Sequence, residues 1–383
     1  MYTNFFEESG LLSFERLHSQ MICWIFNNRF IDKETKLKII NSLFNTKLEE
    51  IKDLYCITEY SSVDLLLDVG DISFVIENKF RSSQHDNQLV KYKETLDKEL
   101  QLSNGRNNAK CRRYYYYLTL IGEEAKAVGW DNLTYENLLN VLKENEIEIT
   151  SRFNEATKII YFEYITSLTH MVKAVNEFQD SFEYYPMVFN RRKEKKCKQP
   201  NEMIVVSQKM ETIFQKAFYR IVADKMSNTN YLIDETHGMA LLEFEIHKIT
   251  HYYNDIDYKI GIQFQADNIK LFFRPLKLSD YKSSKIENIK YSTKTAFRSI
   301  ADDIKKNGIK NDKKGLLSFS RLNLNLSNNT KRKRKAFISI SFKRNRYIPE
   351  LKNYANVVSC FQNEYNILEI YANVLNKKIT MGQ

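Results

Sequence analysis

Asp64, Glu77, Asn78 and Lys79 are the residues of this sequence best suited to chemistry. They fall in two segments, Val63-Asp64-Leu65-Leu66-Leu67-Asp68 and Ile76-Glu77-Asn78-Lys79, separated by a tight turn at Val69-Gly70-Asp71. Side chains alternate along a strand, so Glu77 and Lys79 share a face. Folding the chain about Gly70 sets Asp64 opposite roughly residue 76, next to Glu77. Two carboxylates and the main-chain carbonyl of Asn78 then make the oxygen-rich partial shell that Mg²⁺ prefers. A bound Mg²⁺ lowers the pKa of a water and clamps a phosphate oxygen. Lys79, held beside that water, would favour hydroxide or offset charge developing at phosphorus. A bare E-x-K triplet is usually a surface ion pair on an edge strand. Here the preceding run, Phe74-Val75-Ile76, is apolar like a buried strand and turns ionic abruptly, for which packing alone gives no reason.

The surrounding pattern supplies elements able to position these groups. Apolar residues at helical spacing (Phe14, Leu17, Met21, Ile22, Ile25) predict a helix from Ser9 or Ser13 to about Phe26, and a second covers about 33–53. Strand character follows at 54–60, 63–68 and 72–79, then a helix at 84–100, a Gly/Asn loop at 103–108 and a strand at 114–120. Helices at about 135–145 and 152–178 close the region. Glu15, His18 and Ser19 occupy one stripe of the first helix, and Gln88 and Tyr92 one face of the helix after the E-x-K strand. His18 is expected to be structural, hydrogen-bonding the helix to the sheet, and Glu59 on the preceding strand is a possible supporting residue.

This arrangement resembles the PD-(D/E)xK nuclease superfamily over about residues 8–170. The carrying residues are Asp64-x12-Glu77-x-Lys79, the first-helix Glu15-x-x-His18-Ser19 followed by Trp24, Gln88-Leu89-x-x-Tyr92, and Tyr117-Leu118-Thr119. The last three match a branch of bacterial PD-(D/E)xK proteins. Val63 stands where the superfamily name has proline. The resemblance implies a mixed-sheet α/β core of the restriction-endonuclease kind and a Mg²⁺-dependent phosphodiesterase, with Mn²⁺ as a substitute ion. By position it makes Asp64 and Glu77 metal ligands and Lys79 the catalytic lysine. It brings Glu15 in as a further ligand, directly or through water, and sets Gln88 to support the lysine or the scissile phosphate. The competing reading is a non-cleaving nucleic-acid-binding or scaffold protein on a nuclease-like fold; the intact Asp64/Glu77/Lys79 set argues against it.

The remainder of the chain differs in character. Net charge is +10 overall, but residues 1–190 carry 21 Lys+Arg against 29 Asp+Glu, and 191–383 carry 37 against 19. Opposite signs in the two halves suggest that the second meets a polyanion while the first concentrates carboxylates. The charged run 191–196, with Pro200 just after, marks a boundary. It divides a nuclease-like domain (1–190) from a basic α+β domain (191–383), a nucleic-acid-binding or accessory unit. Alternating segments at 239–249, 258–265, 269–275, 321–326 and 336–342, with helices at about 206–225, 287–306 and 351–376, predict an antiparallel sheet with helices on one side. Lys331, Arg332, Lys333, Arg334 and Lys335 at one end of the last strand, and Lys343, Arg344 and Arg346 at the other, are the candidate phosphate contacts, DNA being the favoured partner.

Other classes are disfavoured. No window approaches a transmembrane run and the acidic start lacks signal-peptide character. Five scattered cysteines without a CxxC predict neither a disulfide framework nor a zinc site, so a cytoplasmic setting is expected. His247 and His251 lack the Glu of H-E-x-x-H, and there is no phosphate-binding or dinucleotide-binding glycine loop. A homo-oligomer is left open.

Overall fold

The strand-like segments of the sequence assemble into two sheets. A computed structural model of the chain describes residues 4–84, 87–104, 112–189, 199–226, 230–236, 238–253, 256–276, 291–307, 319–325, 338–344 and 348–381. By its contacts the chain divides into two compact units, residues 1–177 with 193–214, and 178–192 with 215–383. Among the described residues no helix is long and apolar enough to cross a membrane.

The first unit opens with α1 (Phe5–Glu8), a single 3₁₀ turn at Leu11–Ser13, α2 (Glu15–Asn27) and α3 (Lys33–Phe44). The first long helix starts later than its apolar spacing suggests, because Gly10 turns left-handed at φ 69° and the 3₁₀ turn intervenes. α3 stops at Phe44 instead of running on to residue 53. Asn45 adopts φ 50°, and the Asn41 side chain accepts from Leu48 N and Thr46 Oγ1 and donates to the Leu48 carbonyl. That local bonding competes with the helix and ends it.

β1 (Leu54–Tyr60), β2 (Val63–Val69) and β3 (Ile72–Lys79) form an antiparallel meander; α4 (Gln88–Asn104) then crosses to β4 (Arg112–Thr119), parallel to β3. β5 (Asp131–Thr134), too short for its period to show in the sequence, adds a parallel fifth strand, giving the order β1-β2-β3-β4-β5. α5 (Tyr135–Glu144), α6 (Glu146–Thr150), α7 (Glu155–Asp180) and α8 (Pro200–Ser207) follow. Gly70, at φ +63°, makes the two-residue turn between Val69 and Ile72. One face of the sheet packs Leu66, Val75, Tyr115 and Tyr117 against Leu89 and Leu96 of α4 and Trp130. On the other, Phe44 of α3 stacks on Phe74 at 4.3 Å, and Tyr116 donates to the Phe44 carbonyl.

After α9 (Glu211–Lys225), the second unit holds β6 (Tyr231–Thr236), β7 (Met239–Tyr253), β8 (Ile256–Gln265), β9 (Asn268–Pro275), α10 (Tyr291–Asn307), β10 (Phe319–Asn325), β11 (Ile338–Arg344) and α11 (Tyr354–Met381). The strands form one antiparallel sheet in the order β10-β11-β9-β8-β7-β6. Phe244, Ile260, Ile262, Phe264, Leu271, Phe273 and Ile340 supply its buried apolar residues. The adjacent Glu243, Lys259 and Arg274 form a largely buried ion network, Glu243 lying 2.7 Å from Lys259 and 2.5 Å from Arg274. The fold is thus α/β, a mixed five-stranded sheet in one unit and an antiparallel six-stranded sheet in the other.

Candidate active site

β2 and β3 stop pairing where the chemistry begins. Leu65 faces Ile76 in the last ladder pair, so the register carries Asp64 to Glu77 just beyond it. There the side chain replaces the ladder, Asp64 Oδ2 accepting the amide of Asn78 at 2.8 Å. The N–H and C=O of one strand residue point to the same edge. The Asn78 carbonyl therefore faces the Asp64 side, while the Lys79 carbonyl takes Leu120 N on the β4 side at 3.3 Å.

Glu77 is 1 % exposed. Its Oε1 lies 2.7 Å from Lys79 Nζ and accepts Gln88 Nε2 from α4 at 3.0 Å, and Gln88 Nε2 also reaches Tyr92 Oη at 2.7 Å. Glu77 Oε2 and Gln88 Oε1 are buried without a hydrogen-bond partner. Burial, reinforced by the charge of Asp64, pushes Glu77 up to about 8. Burial also raises Asp64 from its ordinary value. For Lys79 burial opposes the charge, but Glu77 and Asp64 outweigh it and hold the ammonium above its ordinary value. An acid that stays protonated at neutral pH next to a second carboxyl is an arrangement that a cation relieves.

Asp64, Glu77, Lys79 and Gln88 are therefore brought together on the α4 side of the sheet. Asn78 points its side chain the other way. Its Nδ2 donates to the Glu15 carbonyl (2.8 Å) and to Ser19 Oγ (3.0 Å), and Tyr135 donates to its Oδ1 at 2.6 Å. Glu15 sits at the end of β3, its Oε1 accepting Arg81 N, Ser82 N and Ser82 Oγ at 3.0, 2.7 and 2.8 Å. His18 is wholly buried, bound to the Leu12 carbonyl (2.8 Å) and Tyr164 Oη (3.1 Å) and stacked on Phe80 at 3.7 Å. Its role is structural, but its hydrogen bonds tie the helix to a turn and to α7 and not, as expected, to the sheet; burial lowers it to about 3, leaving it neutral. Glu59 forms an exposed pair with Arg16. Tyr117, beneath the site, accepts Gln84 N at 2.8 Å and donates to Glu123. Sequence spacing gives no signal for Tyr135, 57 residues from Asn78, or for the Arg81–Ser82 amides, whose role is backbone.

Lys343 pairs with Asp267 at 3.4 Å, and Lys343 and Arg344 end β11, where the sequence expectation set them beyond the strand. Lys331, Arg332, Lys333, Arg334, Lys335 and Arg346 lie outside the described residues, as does the run 191–196.

A mixed sheet carrying two carboxylates and a lysine where its antiparallel hairpin parts is a nuclease-type α/β core. The chain belongs to the PD-(D/E)XK nuclease superfamily, whose family model matches residues 3–197. No curated protein and no solved structure gives a significant match.

Proposed function

We propose that this protein is a divalent-metal-dependent nuclease that hydrolyses phosphodiester bonds of DNA. The observation that carries the reading is Glu77 Oε2, buried and unpartnered beside Asp64. Among the described residues no three acidic, imidazole or thiol groups cluster as a ready-made cage. Two carboxylates with a main-chain carbonyl suit Mg²⁺ nonetheless, because it keeps several waters. Asp64, Glu77 and the Asn78 carbonyl would hold the ion, and Mn²⁺ would substitute. The ion supplies a polarised phosphate oxygen and a water of lowered pKa.

The chain's own groups do the rest. Gln88 holds the rotamer of Glu77 through Oε1 and would leave Oε2 for an ion. Lys79 keeps its proton and presents a cation where negative charge develops on the transferring phosphate. Asp64 gains its orientation from the Asn78 amide, so both acids are placed by the fold before substrate arrives. The basic second half of the chain would supply non-specific phosphate contacts.

Incubation of the full chain with plasmid DNA, linear DNA and RNA, in Mg²⁺, Mn²⁺ or EDTA, tests this. Mg²⁺- or Mn²⁺-dependent breakage of DNA is expected, with none in EDTA. Asp64→Ala and Glu77→Ala should each abolish it and leave DNA binding largely intact. Near wild-type cleavage by Glu77→Ala would sink the mechanism, and cleavage of RNA alone would reassign the substrate.

A further inference from the structure

Three residues of one α2 stripe hold four of the five positions from 78 to 82, beginning inside the E-x-K triplet. Ser19 Oγ and the Glu15 carbonyl take the Asn78 side chain. His18 stacks on Phe80, which Tyr135 meets edge-on at 4.8 Å. Glu15 Oε1 takes three donors from Arg81 and Ser82. Beyond them Tyr117 holds the Gln84 amide, and Gln84 Oε1 accepts Lys126 N at 3.0 Å. Between Lys79 and Gln88, then, Phe80, Arg81, Ser82 and Gln84 are each held from outside the segment.

We infer that the Glu15-x-x-His18-Ser19 stripe is a bracket for the end of β3, and that Glu15 is a positioning residue for Lys79 and Gln88 instead of a metal ligand. This rests on the nuclease reading for its catalytic consequence. Glu15 Oε1 already accepts three hydrogen bonds and is poorly placed to give a lone pair to a cation as well, so any ligation would fall to Oε2 alone. Glu15, Asp64 and Glu77 also do not close into a single three-carboxylate group among the described residues. The bracket explains why the three side chains must come from one helix. With residues at i, i+3 and i+4 on one face, α2 can touch positions 78, 80 and 81–82 along a single stripe. Lys79 and Gln88 both converge on Glu77 Oε1, one from each side of the pinned segment, so loosening it would misplace the lysine and the glutamine together.

Three variants of the full chain test this, read by Mn²⁺ titration, hydrogen exchange of the peptide covering 80–84, and DNA cleavage. Glu15→Gln keeps an oxygen able to accept from both amides but removes the charge; it should keep Mn²⁺ affinity within about threefold and keep slow exchange at 80–84. Glu15→Ala should keep Mn²⁺ affinity within the same range. It should speed exchange at 80–84 and lower kcat by about 10–100-fold, the scale set by ångström-level misplacement, with KM little changed. Glu15→Gln should recover most of that loss. If Glu15→Ala does not fold, Glu15→Asp, too short to reach both amides, serves in its place with the same expected pattern.

A tenfold loss of Mn²⁺ affinity in Glu15→Gln would make Glu15 a ligand and overturn the proposal. Unchanged exchange at 80–84 in Glu15→Ala would overturn it as well. If the wild-type chain cleaves nothing, the nuclease reading fails, and the metal and exchange measurements still decide whether Glu15 is bracket or ligand.

Discussion

Lys79 Nζ lies 2.7 Å from Glu77 Oε1, and the two side chains leave the same face of one strand with only Asn78 between them. Gln88 donates to that same oxygen, so one oxygen of Glu77 is saturated while the other is bare. The asymmetry makes Glu77 an acid whose charge is costly until a cation arrives, and two consequences follow from its titration.

The first concerns stability of the metal-free protein. Glu77 titrates near 8 in the fold against an ordinary 4.5, chiefly because burial penalises its charge. Its folded value lies above its unfolded one, so the folded state holds the proton more tightly. The stabilisation is complete below about pH 4.5 and is lost as pH rises towards and through 8. In EDTA, Glu77→Gln should therefore melt higher than wild type at pH 8.5, with the gap closing towards pH 5. Each kcal/mol recovered should appear as roughly 2–4 °C in a chain with domains of this size. Melting curves whose midpoints run parallel across that range would show that Glu77 is not the acid responsible.

The second concerns the ion. A metal must displace the Glu77 proton below pH 8, so binding and proton release are coupled. Mn²⁺ affinity should rise about tenfold per pH unit between roughly 6 and 7.5, the slope expected for one displaced proton, and level off above about 8. Calorimetry in two buffers of different ionisation enthalpy checks both slope and proton count. A flat profile would mean that the ion enters a site already ionised, contrary to the burial of Glu77.

The Asp64/Glu77/Lys79 convergence was legible in the sequence because it depends on only two local facts, strand parity and a two-residue turn at Gly70. The fold class was legible for a similar reason, since periods of two and of about 3.6 alternate cleanly through residues 54–119. What stayed hidden depends on backbone groups or distant contacts. The amides of Arg81 and Ser82 carry no side-chain signature, so nothing in the sequence could say what Glu15 Oε1 would bind. Tyr135 reads as one more aromatic at the start of a helix until the sheet brings Asn78 to it. β5 is four residues long and is recruited by pairing with β4, where pairing overrides weak propensity.

Packing in the second unit makes a third prediction. A Cβ on Gly261 would meet the Phe244 carbonyl oxygen and Phe272 Cζ, each at 2.5 Å. The Phe272 ring, fully buried, lies across this glycine of β8 with the Arg274 guanidinium 5.1 Å from its centre. The ring could swing away, but the carbonyl belongs to the β7–β8 ladder and cannot. Gly261→Ala should therefore destabilise by about 1–3 kcal/mol, the usual cost of overpacking. Urea unfolding followed by circular dichroism measures it, and an unchanged midpoint would mean that the strands part without cost.

The last prediction assigns the phosphate grip. Residues 191–383 carry 37 basic against 19 acidic side chains, and Arg332, Lys333, Arg334 and Lys335 are consecutive. Lys343 pairs with Asp267 at 3.4 Å, so a phosphate must compete for it. Replacing the four consecutive residues with Ser should weaken duplex binding and flatten its salt dependence. For every phosphate that the variant no longer neutralises, the plot of log K against log[salt] should become shallower by roughly 0.9. Lys343→Gln should change the slope by less than the roughly 0.9 of a fully neutralised phosphate, since part of its charge is spent within the fold. Mn²⁺ affinity should not respond to either change, because Asp64 and Glu77 belong to the other sheet. Binding titrations at several salt concentrations, in EDTA so that no cleavage intervenes, give the slopes. An unaltered slope in the four-residue variant would move the grip elsewhere in the basic half, with the run 191–198 the next to replace.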